Sequence, residues 1–103
     1  MKAIINGKRY NTETAEHIAK FHNGLSHSDF NYIYETLYRT KKGNWFLHGE
    51  GGAATKYHKP AGDMRSGGEH IVPMNDDEVK TWLENTEHPE VIEQYFPDDI
   101  EDA

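Results

Sequence analysis

The chain predicts an α+β fold: an antiparallel sheet of about five strands, with one helix after the first hairpin and two helices at the C-terminus. Three observations carry this expectation. Aromatic and β-branched residues crowd Tyr34 to Thr40 and Trp45 to His48, on either side of Lys41-Lys42-Gly43, which is the pattern of a hairpin. Asn6-Gly7 marks a second reversal near the N-terminus. Asn75, followed by Glu78 ahead of Val79, Trp82 and Leu83, spells a capped amphipathic helix.

In chain order, Ala3 to Ile5 and Lys8 to Tyr10 form the opening hairpin. Asn11 can cap a helix carrying Ala15, Ile18, Ala19 and His22 at helical spacing, stopped at Asn23-Gly24. Leu25 to Asn31 is a polar connector. The central hairpin admits two registers. A two-residue Lys42-Gly43 turn sets Leu37 against His48, whereas a type I turn at Lys41-Lys42 with Gly43 as bulge residue sets Leu37 against Leu47, Tyr38 against Phe46 and Arg39 beside Trp45. Matched cross-strand pairs favour the bulged turn.

That register places Ile33, Leu37, Leu47, Arg39 and Trp45 on one face, suited to helix packing. Tyr34, Thr36, Tyr38, Phe46, His48 and Glu50 fall on the other. This second face is either a polar site or a surface closed by the following loop, and an ordinary half-buried aromatic face is the commoner case. Gly49 to Gly68 holds six glycines and one proline and reads as one long loop. Glu69 to Pro73 is an edge strand. Pro89 opens a last helix with Val91, Ile92, Tyr95 and Phe96 as its apolar side, and Pro97 ends it. The domain is expected to span 1–96, with 97–103 as a mobile acidic tail.

At 103 residues and without cysteine, the chain is one domain built on its own core, without disulfides or thiolate metal sites. The N-terminus reaches a polar turn after three apolar residues, and no apolar run is long enough for a membrane span. A soluble, cytoplasmic protein is expected. Net charge is −7, unevenly spread. Residues 1–68 carry ten Lys/Arg and six Asp/Glu, whereas 69–103 carry Lys80 alone against twelve Asp/Glu. Such asymmetry suits a charged macromolecular partner; a solvated acidic tail is the plain alternative.

No nucleophile elbow, zinc-protease or phosphate-loop motif occurs, and no metal or cofactor is expected. His17, His22 and His27 are five apart, which does not bring them onto one helix face as metal ligands. His48 and Glu50, two apart on a strand, are the candidates for general acid–base work on a phosphodiester. They are as readily explained by hydrogen bonds across the hairpin. For binding, Arg39, Lys41, Lys42 and Trp45 at the hairpin tip, with Lys56 from the glycine-rich loop, suit phosphate contacts and base stacking. Asp76, Asp77, Glu84, Glu87, Asp98 and Asp99 suit a cationic surface, although the first two also favour the helix start.

INGKRYNTETA at 5–15, ETLYRTKKGNWFLHGEGG at 35–52 and the following Ile71-Val72-Pro73-Met74 with its acidic helix resemble the small N-terminal domain shared by a group of type II anti-CRISPR proteins carried on plasmids and phages. The resemblance covers about residues 4–83. It implies inhibition of the RNA-guided DNA nuclease of type II CRISPR systems, linked to the guide RNA or its loading, through the hairpin and the glycine-rich loop. It carries over no catalytic residues, and activities that belong to the C-terminal extensions of longer relatives are not expected here. A nuclease-like activity on the guide through His48 and Glu50, and an interaction module against another host defence protein, are the alternative functions.

Overall fold

The computed structural model describes residues 1–103 as eight strands, two α-helices and a closing 3-10 turn. The strands are β1 (Lys2–Ile5), β2 (Lys8–Asn11), β3 (Glu16–His22), β4 (Ile33–Arg39), β5 (Trp45–Gly51), β6 (Lys59–Ala61), β7 (Met64–Ser66) and β8 (Gly68–Met74). The helices α1 (Asp76–Asn85) and α2 (Pro89–Tyr95) follow, and Pro97–Asp99 forms the 3-10 turn. The fold is thus α+β and antiparallel, as expected, but with three sheets instead of one. A four-stranded sheet in the order β3-β4-β5-β8 is central; β1-β2 and β6-β7 are separate ribbons. No helix is long and apolar enough to cross a membrane.

The central hairpin takes the bulged turn. Leu37 pairs with Leu47, Tyr38 with Phe46 and Arg39 with Trp45. Gly43 sits at φ +87°, and its N–H donates to the Thr40 carbonyl at 2.9 Å. Both residues of the Asn6-Gly7 turn have positive φ, as the tight hairpin twist requires.

The helix expected after the first hairpin is absent, and Glu16–His22 is the edge strand β3 instead. Asn11 does make the turn its side chain suits: Oδ1 accepts from the Glu13 N–H at 2.9 Å, and its carbonyl accepts from the Ala15 N–H. That turn is not continued. The register of β3 on β4 slips between His17 and Ala19, and this bulge breaks the strand period. Ala19 is consequently buried in the main core, with Ile18 and Phe21 packed against it. Neighbouring apolar residues on one face imitate a helical stripe. Sheet pairing then overrides a local helix preference that was marginal for so short a segment.

The single long loop expected at 49–68 is also corrected. It holds the end of β5 and the whole ribbon β6-β7, reversed at Gly62 with φ +65°. Alternation over three residues is too short to register as a strand.

Two cores lie on opposite faces of the central sheet. On the helix side, Leu37, Trp45 and Leu47 pack with Val79, Trp82, Leu83 and Val91. Helix α1 starts on the expected capping box: the Glu78 N–H donates to Asn75 Oδ1 at 2.8 Å, and the Asn75 N–H to Glu78 Oε1 at 2.9 Å. On the other side, the β1-β2 ribbon closes one end of the sheet. Tyr10 packs edge-on against Phe46 at 5.5 Å, with Ile71 beside them. The second face is therefore closed at one end only, and by the opening hairpin rather than by the glycine-rich loop. That loop covers the helix side, where the Tyr57 ring lies over Gly49.

A Cβ on Gly49 would lie 2.0 Å from the Tyr57 ring. Gly49→Ala is expected to lower the unfolding free energy by about 1–3 kcal/mol, measured by urea denaturation, whereas Gly7→Asn should cost much less because nothing lies near its Cβ and Asn tolerates its φ.

Candidate functional site

The tips of the first and central hairpins come together at one end of the molecule. Between them lies a groove of about 420 Å³, lined by Lys8 and Arg9 from β2 and by Lys41 and Lys42 from the β4-β5 turn, with Tyr10, Thr14 and Thr40 in its walls. No carboxylate lines it. None of the four cations forms a salt bridge within the chain. Their charges repel one another and are satisfied only by solvent or an anionic partner.

The other flank of the same turn is acidic. Gly43 and Asn44 border a second depression whose far wall is Asn75, Asp76 and Asp77 at the start of α1. The boundary between the cationic and anionic halves of the sequence thus runs along the β4-β5 turn.

Of the residues expected to bind, Lys41 and Lys42 are exposed, and Lys8 and Arg9 join them; sequence reasoning missed these two because they lie in a different hairpin. Trp45 is corrected as a base-stacking residue. It is 5 % exposed and wedged between Leu47-side core residues and α2, with Tyr95 edge-on at 5.1 Å and Phe96 at 5.9 Å. The cause is register: the chosen pairing points Trp45 to the helix side, away from the groove. Arg39 points the same way. Its guanidinium lies 5.3 Å from the Trp45 ring and 5.4 Å from the Tyr95 ring, and its Nε is buried without a hydrogen-bond partner. This is a packing cation rather than a phosphate ligand.

Lys56 is engaged internally. Its Nζ lies 2.9 Å from Oε2 of Glu35, a carboxylate only 6 % exposed that also accepts from the Tyr57 hydroxyl and from Trp82 Nε1 at 3.0 Å. Burial pushes the Glu35 carboxyl up, but the donors Tyr57, Lys56 and Trp82, with the charge of Lys56, bring it below its ordinary 4.5. Burial, and then the bond to Glu35, push the Tyr57 phenol far up. Glu35 was not singled out from sequence; its place on the apolar face, between Ile33 and Leu37, was the available signal.

Asp76, Asp77, Glu84, Glu87, Asp98 and Asp99 are all exposed. Lys80 bridges Asp77 at 3.4 Å and Asp99 at 3.0 Å, so the tail is anchored at Asp99, while Asp76, Glu84, Glu87 and Asp98 carry no salt bridge. His48 and Glu50 point to the same face but are not partners. His48 Nε2 faces Glu69 Oε2 at 3.2 Å, and Glu50 Oε1 faces His27 Nε2 at 3.1 Å. No group of three His, Asp or Glu is arranged to hold a metal ion. A scan against protein-family models and searches of curated proteins and of solved structures return no match.

Glu35→Ala removes the acceptor for three donors and should cost about 3–5 kcal/mol; Tyr57→Phe, which removes one donor, should cost about 1–3 kcal/mol. Because the native Glu35 carboxyl titrates below its unfolded value, its contribution is complete above pH about 4.5 and is lost as pH falls through the lower native value. Urea titrations from pH 7 to pH 3 should show this acid-sensitive portion in the wild type and not in Glu35→Gln.

Proposed function

We propose that the protein is a non-enzymatic inhibitor of the RNA-guided DNA nuclease of type II CRISPR systems, acting by binding the effector, its guide RNA, or both. The two sequence stretches at 5–15 and 35–52 suggest the target class. The observation that carries the binding reading is the groove of Lys8, Arg9, Lys41 and Lys42, free of carboxylates and of internal ion pairs. Four converging cations suit phosphates. The acidic flank at Asp76 and Asp77 suits a basic protein surface next to those phosphates. A ribonucleoprotein offers both charges at one interface.

The net charge of −7 disfavours binding to bare duplex, which needs a broad basic footprint. Specific docking beside protein-held RNA is compatible with a small cationic groove on an acidic body. The nuclease-like alternative receives no support from pairing, since His48 and Glu50 each face a different residue.

Reversing the groove tests this reading. Lys8→Glu/Lys41→Glu/Lys42→Glu should weaken inhibition of guide-directed DNA cleavage roughly tenfold or more, and flatten the salt dependence of binding by about 0.7 in log–log slope for each phosphate that is no longer neutralised. His48→Ala/Glu50→Ala should inhibit fully and leave the guide uncut, whether or not effector is present. Full inhibition by the charge-reversed variant would reject the groove, and guide cleavage abolished by His48→Ala would replace binding with catalysis.

A further inference from the structure

We propose that the open half of the central sheet is a stacking platform for a nucleobase of single-stranded nucleic acid. This deepens the binding reading above and rests on it for the class of partner. The β1-β2 ribbon covers the sheet only around Phe46 and Ile71. Beyond that cover, two cross-strand rows face outward: Lys20, Thr36 and His48, then His22, Tyr34, Glu50 and Glu69.

Three flat rings form a column there. Tyr34 is stacked on His22 with ring centres 5.4 Å apart and planes 20° off parallel, and on His27 at 4.5 Å and 16°. Both histidines are exposed, and both are held. The Gly24 N–H donates to His22 Nδ1 at 3.2 Å, and His27 Nε2 lies against Glu50. His22 stands on the edge strand, and Tyr34 is its only ring neighbour, so a base can extend the column on its outer face. A preordered column loses little rotamer freedom when a ligand adds to it.

Lys20 lies two residues before His22 on the same face, exposed and in no salt bridge, where it can meet the phosphate of a stacked nucleotide. Glu50, across from Tyr34 in register, lies on the far side of Tyr34 from His22 and serves the column by holding His27. The platform therefore reads the flat face of a base and not its hydrogen-bonding edge.

The test is fluorescence anisotropy with labelled eight-nucleotide strands of oligo-C, oligo-U and oligo-deoxy-C, on the whole chain. Oligo-C and oligo-U should both bind, within a few-fold of each other at equal charge. His22→Ala should weaken oligo-C binding about 5- to 100-fold, the loss of one base–ring stack. His22→Trp should restore it, which a merely structural histidine would not allow. Equal binding of the ribose and deoxyribose strands identifies the base alone as the ligand; tighter ribose binding identifies RNA. Unchanged oligo-C binding in His22→Ala, with binding still abolished on reversing Lys41 and Lys42, overturns the platform and leaves the groove standing. Wild type that binds no single strand also overturns the platform, while the groove is judged separately by inhibition of the effector.

Discussion

The buried carboxylate of Glu35 ties together parts of the chain that share no other polar contact. Strand β4 supplies the acceptor, α1 supplies the Trp82 N–H, and the segment after β5 supplies Tyr57 and Lys56. An ion removed from water costs several kcal/mol unless its lone pairs are satisfied. Here three donors converge, and one carries the compensating charge. The arrangement fixes helix and loop against the sheet in one orientation, because any slip strands the charge. Hydrophobic packing alone tolerates small rotations of a helix on a sheet.

With the helices fixed on one face, the charge map follows from topology. The first two hairpins bring their lysines and arginine to one end and one side. The acidic residues that begin α1 reach the same turn from the opposite side. A split that is merely sequential in the chain becomes a boundary only a few residues wide. The covered end of the second face and its open end are equally a matter of layout: the short β1-β2 ribbon reaches Phe46 and Ile71 and no further.

Much of this was legible in the sequence. Cross-strand matching gave the register of the central hairpin, because only one alignment opposes Leu37 to Leu47. The capping box and the Val79, Trp82, Leu83 stripe gave α1. What failed did so for identifiable reasons. At His17–Ala19 a bulge put adjacent apolar residues on one face and imitated a helix. Trp45 and Arg39 stood beside lysines in the chain, but the register turns both to the helix side, so Trp45 belongs to the core and the half-buried Arg39 packs against its ring. Lys8 and Arg9 could not be joined to Lys41 and Lys42 without knowing where the first ribbon docks. Glu35 was hidden by being the wrong kind of residue for its face.

The β6-β7 ribbon stands apart from all of this. Apart from a half-buried Ser66 its residues are exposed, and Met64 at its tip is 75 % exposed. Paired strands without a third neighbour or a core hold together weakly in water. The domain consequently owes that projection almost nothing for its cohesion. Foreign sequence, a dye or a purification handle spliced in at Gly62-Asp63 would ride on the outside of the molecule, well away from both hairpin tips.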